Sequence, residues 1–236
     1  MSNEKGDVEA ALLYPSMQEN PDLRWAFIRK VYSILTVQLL VTVAVAAVVV
    51  ANPPIAIFFI SWIGLTVYVA IIITLVIVLI LLVFYENRHP LNFFLLGILT
   101  LCYGLVIGLA TSFVSGLVIL EAGIATAVVV VSLTAYTFWA SKRGQDFEFL
   151  RPFLMCAILT LTMFTIFLIF FPMRRFSEMI YSGLAVLIFS AYVIYDTNQL
   201  IKQHSYDQYI WASIQLYLDI LNIFVRLLQI FRSVNR

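Results

Sequence analysis

Charge is what this chain has least of. Only 11% of its 236 residues are Asp, Glu, Lys or Arg, where soluble domains carry about 25%. The formal net charge is +1 and no basic run occurs, which excludes the electrostatic footprint of a nucleic-acid binder. Cysteine is nearly absent as well. Cys102 and Cys156 both stand inside apolar stretches, so core packing is expected of them and a disulfide framework is not. The first 30 residues mix acidic and basic side chains and lack the apolar core of a cleaved signal peptide. The first span is therefore expected to act as an uncleaved insertion signal. No Asn-x-Ser/Thr sequon is present, so nothing points to glycosylation. His89 and His204 show no metal-ligand spacing. No Ser-His-Asp, HExxH, phosphate-loop or GxGxxG pattern stands in a setting that would give it meaning. No enzyme and no cofactor is expected.

What fills the chain instead is apolar: 63% of its residues are hydrophobic. A membrane-spanning helix needs ~20 apolar residues, so the length holds six or seven spans and no separate soluble domain. The reading is a polar tail from Met1 to Lys30, then one seven-helix transmembrane domain over 31–236. From Val31 to Tyr85 no residue is charged, and Asn52-Pro53-Pro54 interrupts the stretch because a Pro-Pro pair cannot continue a helix. Spans are expected near 31–51, 56–85, 91–112, 117–140, 152–171, 178–202 and 208–231. The breaks between them are Glu86-Asn87-Arg88-His89-Pro90, the Thr111–Gly116 turn, the charged loop Ser141–Arg151, Pro172 with Arg174-Arg175, and the connector around His204-Ser205-Tyr206-Asp207-Gln208. Gly97, Gly104 and Gly108 share roughly one face of the third span, where small residues let helices approach. Trp25, Tyr85 and Trp139 read as interfacial anchors.

Orientation follows from Lys and Arg, which mark the cytoplasmic side. Lys5, Arg24, Arg29, Lys30, Arg88, Lys142, Arg143, Arg151 and Lys202 fall on the side of the N-terminus. Arg174, Arg175, Arg226, Arg232 and Arg236 fall on the other. The excess places the N-terminus in the cytosol. The seventh span, with weak hydropathy, either crosses, leaving the C-terminus luminal or extracellular, or re-enters and returns it to the cytosol. The charges Arg232 and Arg236 favour re-entry.

Four charges lie at membrane depth: Glu121, Asp196, Asp219 and Arg226. Each costs roughly 2.5–3.5 kcal/mol at a helix centre on insertion scales, a cost usually retained for function. Gln215, Asp219, Asn222, Arg226 and Gln229 follow steps of three and four residues, which stack on one helix face. Such a stripe must face protein or water; otherwise the helix lies on the membrane surface. Tyr192, Asp196, Gln199 and Gln203 have similar spacing in the sixth span. Asp196 and Asp219 stand equidistant from the polar connector, so in an antiparallel hairpin they sit at one depth and can face each other. Two carboxylates held together in low dielectric cannot both ionise cheaply, and such a pair titrates as a unit. One shared proton would close the pair, and its loss would leave two repelling anions. The freed oxygens suit a hard cation such as Ca²⁺, but Ca²⁺ takes ~6–8 oxygen ligands. Weak, transient binding at Asp196 and Asp219 on a permeation path fits better than a storage site. Glu121, near the start of the fourth span, is either a carboxylate at the opposite mouth of that path or one favoured by its helix dipole.

Two segments now carry a resemblance. Tyr195-Asp196-Thr197-Asn198-Gln199 and Leu216-Tyr217-Leu218-Asp219-Ile220-Leu221-Asn222-Ile223-Phe224 resemble the two aspartate signatures of the Bax inhibitor-1 family, also called the transmembrane Bax inhibitor motif-containing or Lifeguard family. Leu23-Arg24-Trp25-Ala26-Phe27-Ile28-Arg29-Lys30-Val31-Tyr32 resembles its Lifeguard branch, which includes the Golgi anti-apoptotic protein. Gly6-Asp7-Val8-Glu9-Ala10 is similar to the opening of plant Lifeguard proteins. The resemblance covers nearly the whole chain. It implies six helices around a central seventh, a pH-sensitive Ca²⁺ leak across an intracellular membrane, and suppression of cell death and stress responses. By position, Asp196 and Asp219 match the family's di-aspartyl sensor, and Leu120-Glu121-Ala122 its glutamate motif. Bacterial relatives pair an arginine at the end of span two with the aspartates, and Arg88 is the candidate for that latch. The expected partners are the bilayer, calcium and protons, with cell-death regulators or other calcium channels as protein partners. Golgi, endoplasmic reticulum and vacuolar membranes are all compatible. A reading from a different class stays open: a membrane-embedded interaction protein that regulates cell death without conducting ions, its aspartates only fixing the helices.

Overall fold

The computed structural model describes residues 21–85, 88–171 and 175–235. Readings that fall on Lys5, Gly6 to Ala10, Glu86, Asn87, Pro172, Arg174 and Arg236, and on the side chain of Arg175, lie outside them. The fold is all-helical. Its elements are α1 (Pro21–Ala51), α2 (Pro53–Ile60), α3 (Trp62–Phe84), α4 (Leu91–Thr111), α5 (Gly116–Lys142), α6 (Leu150–Phe170), α7 (Arg175–Lys202) and α8 (Tyr209–Val234). All but α2 are long and apolar enough to cross a membrane. Helix is the form such runs must take, because lipid offers no partner to a free backbone N–H or C=O.

Two boundaries differ from the sequence reading. α1 begins at Pro21, ten residues before the expected start. Proline suits the first helical position, Asp22 lies in the first turn, and Phe27, Ile28 and Val31 are buried. The last third of the supposed tail is thus helix packed into protein. The span expected at 56–85 is two helices. Pro53 and Pro54 open α2, and Ser61 ends it. The Ser61 Oγ then accepts from the Gly64 N–H at 3.0 Å to cap α3. At Gly64 a Cβ would collide with the Phe58 carbonyl and the Phe59 Cα, so only glycine fits the corner.

Among the described residues the chain forms two compact units. One takes residues up to Arg29, Leu117–Tyr206 and those from Leu218 on; the other takes Lys30–Gly116 and Asp207–Tyr217. In the second, Gly104 and Gly108 press against Val45 and Val49 of α1, at distances a Cβ would violate, while Gly97 meets nothing. The predicted small-residue seam therefore holds for two of its three glycines. The Thr42 and Tyr217 hydroxyls meet at 2.7 Å. Lys30 lies 3.2 Å from the centre of the Tyr209 ring, against which His89 stacks. The first unit is centred on Leu161, Tyr181, Ala185, Phe189, Val193 and Ile223, from α6, α7 and α8. Cys102 is half-buried and Cys156 exposed, both as free thiols, so core packing fails for Cys156.

From Tyr209 to Ser233, α8 has no exposed residue, which rules out a helix lying on the membrane surface. Its length and continuity are those of a candidate crossing helix. It is one unbroken helix of 26 residues, about 39 Å, against a hydrocarbon core of ~30 Å. Asn235 beyond its end reaches Glu121 near the start of α5 at 3.5 Å. At the other end of α5, Asp146 in the following loop binds Asn198 near the end of α7. α8 therefore ends level with the start of α5, far from that loop. The terminal arginines that favoured re-entry are outweighed by a helix long enough to cross.

Candidate functional site

The site is made by α7 and α8 and the six-residue connector between them. Asp196 lies one and a half turns before the end of α7, and Asp219 ten residues into α8. Both are buried, at 5% and 6% exposure, and their carboxyl groups are within hydrogen-bonding reach of each other. The structure thus brings together the two aspartates that equidistance from the connector pairs. A carboxylate only accepts, so a hydrogen bond between them would require one proton. The Oδ2 of Asp219 is buried without a partner, as is the Thr197 Oγ1. Unmet buried acceptors are costly, and they leave the pair an oxygen to offer. Tyr192 stands beside both aspartates but gives its hydroxyl to the Leu154 carbonyl at 2.8 Å.

The other predicted residues have contacts of their own. Val193 and Ile223 are fully buried and Phe189 nearly so; they form an apolar block next to the aspartates on the same two helices. Beyond it, Arg226 donates to the Gln229 Oε1 at 3.1 Å and to the Tyr181 hydroxyl at 3.4 Å, with its guanidinium 4.8 Å over the Tyr181 ring. Ser182 also donates to Gln229, and Thr165 meets the Tyr181 hydroxyl. Asn222 turns its amide back to the Leu218 carbonyl. Gln215, one turn before Asp219, keeps a buried Oε1 without a partner. Glu121 lies at the far end, next to Asn235. Arg88 belongs to the other unit, where its guanidinium lies 5.8 Å over the Tyr85 ring. Among the described residues no three His, Cys, Asp or Glu side chains converge as a metal site.

Three residues near the site carried no sequence signal of their role. Asn198 is fully buried; its Nδ2 donates to the Asp146 Oδ1 at 2.8 Å and its Oδ1 accepts from Ser141 at 3.4 Å. Lys202 pairs with the same Asp146 oxygen at 3.8 Å and donates to the Gln145 carbonyl. Burial opposes ionisation of Asp146. The Asn198 amide, the Lys202 charge and the N–H groups of Phe147 and Glu148 outweigh it, so this carboxyl titrates below its ordinary range. Arg24, read as a tail charge, is 6% exposed. It donates to the His204 carbonyl in the connector and lies over the Tyr206 ring.

Comparison with known proteins places these features in context. Residues 24–236 match the family described as Bax1-I, inhibitor of apoptosis-promoting Bax1. The chain is 52% identical to Protein LIFEGUARD 2 of Arabidopsis thaliana over the whole of both chains. It is 36% identical to Bax inhibitor 1 of Schizosaccharomyces pombe, over 88% of this chain and 76% of that one. Against the Golgi anti-apoptotic protein of Vaccinia virus it is 33% identical, over 91% of this chain and 88% of that one.

Proposed function

The chain belongs to the Bax1-I family of inhibitors of apoptosis-promoting Bax1, and from that premise we propose that it is a pH-sensitive calcium leak channel of an intracellular membrane. In this reading it restrains cell death by setting how much Ca²⁺ the compartment holds, and it is not an enzyme. Asp196 and Asp219 are the gate. The observation that carries the reading is the buried carboxyl pair itself, which needs a proton to hold together and keeps one oxygen of Asp219 without a partner. With the proton in place the helices stay closed. Its loss sets two anions against each other in low dielectric, which favours separation and frees oxygens for a hard cation. The lack of any exposed residue from Tyr209 to Ser233 of α8 supports the central seventh helix that the family reading implies. Gln215, Asn222, Arg226 and Glu121 continue the polar line as candidate pathway residues, and Arg88 remains the candidate latch. The name of the viral relative supports the Golgi over endoplasmic reticulum and vacuole, and the distribution of basic residues supports a cytosolic N-terminus.

The test is Ca²⁺ flux into liposomes holding the purified chain, compared with Asp219→Asn from about pH 5 to about pH 8. The expected result is a wild-type flux that varies with pH and a variant flux that does not. No flux above empty liposomes from folded protein would sink the channel reading. It would favour the membrane-embedded interaction protein, with cell-death regulators or other calcium channels as partners.

A further inference from the structure

The loop between α5 and α6 has no place in the gate as described, yet it is bound to the helix that carries Asp196. We propose that this loop is a clasp that positions Asp196 against Asp219, with Asn198 and Asp146 as its positioning residues. The inference rests on the channel reading for its consequence, though not for its geometry. Asn198 follows Asp196 by two residues, about 3 Å along the helix axis. Its amide is fully buried and used at both ends, toward Asp146 and toward Ser141 at the end of α5. One turn on, Lys202 grips the same carboxylate and the neighbouring Gln145 carbonyl, and Gln203 donates to Glu148. The loop is itself held: the Gln145 N–H returns to the Ala140 carbonyl, and Gly144 takes a φ of 77° that glycine adopts without strain.

Fixing a rigid helix at Asn198 fixes its rotation and depth at Asp196. Arg24 adds a hold on the connector just beyond α7 through the His204 carbonyl. The remaining charges nearby have other engagements: Arg143 lies 4.0 Å over the Trp139 ring, and Arg151 faces Tyr195. The clasp acts through hydrogen bonds to one carboxyl oxygen, so an amide that offers the same oxygen should serve in its place.

The experiment compares wild type, Asn198→Ala, Asp146→Ala and Asp146→Asn in liposomes at one fixed pH, each first shown to be folded by its melting transition. Asp146 is about half exposed in a loop, so its variants stay informative where Asn198→Ala fails to fold. Loss of the clasp should raise the resting Ca²⁺ leak roughly tenfold, and Asp146→Asn should stay within about twofold of wild type. Hydrogen exchange on the same samples reads the clasp without any flux. The amides of Gln203 and His204, bonded to the Gln199 carbonyl, should exchange roughly tenfold faster in Asp146→Ala. Unchanged exchange in Asp146→Ala overturns the clasp, whether or not the wild type conducts. Faster exchange with an unchanged leak overturns its control of the gate. A silent wild type with faster exchange in the variant keeps the clasp and overturns the channel reading alone.

Discussion

A single carboxylate shows how position decides chemistry in this chain. Asp146 and Asp196 are the same residue type, fifty positions apart, yet one is half exposed beside Lys202 and the other is closed in with Asp219. Asp146 has a folded-state pKa below its ordinary value. Its contribution to stability is present above an ordinary carboxyl pKa of about 3.9 and is lost as pH falls through the lowered folded value. The melting temperature of wild type should therefore exceed that of Asp146→Asn by a constant small margin from pH 8 down to about pH 5, with the margin closing below about pH 4. Solvent screening at the half-exposed site keeps the margin small. Arg226 makes the opposite case, a cation within an apolar helix that is already partnered. Arg226→Met removes the donor shared by Gln229 and Tyr181 and should lower stability in detergent by roughly 1–3 kcal/mol.

Among the elements, the corner between α2 and α3 tests most cleanly how a break within an apolar run is made. Ser61→Ala removes the cap on the Gly64 N–H and should cost about 1 kcal/mol. Gly64→Ala drives a methyl into the Phe58 carbonyl and should cost more, roughly 1–3 kcal/mol. Gly97→Ala, with open space around it, should be within about 0.5 kcal/mol of wild type. Thermal unfolding of the three variants gives the order. This corner also shows where sequence reading stops. A Pro-Pro pair announces itself, because proline changes the backbone by itself. Ser61 and Gly64 do not, because a serine cap and a close glycine are defined only by what lies against them. The same limit hid the early start of α1, whose Arg24 looks like a solvated charge until its burial is known.

For the whole molecule, the seven candidate spans, if each crosses, would put the two ends of the chain on opposite faces of the membrane. Tags added before Met1 and after Arg236 should differ in protease protection in sealed vesicles, with the N-terminal tag on the cytosolic face. Protection of both tags alike would contradict a crossing α8. The number of candidate spans, the all-helical class and the pairing of Asp196 with Asp219 were legible in the amino-acid order. Each follows from a rule that acts along the chain: apolar length against bilayer thickness, and equal distance from a turn in a hairpin. The tertiary structure alone decided that Asn198 binds Asp146, that Arg226 turns to Tyr181 and Gln229, that Arg24 holds the α7–α8 connector, and that α8 has no exposed residue from Tyr209 to Ser233. Those outcomes depend on which side chains from distant segments arrive at the same place. A polar group in an apolar setting takes whatever partner packing brings within about 3 Å, and no spacing along the chain encodes that.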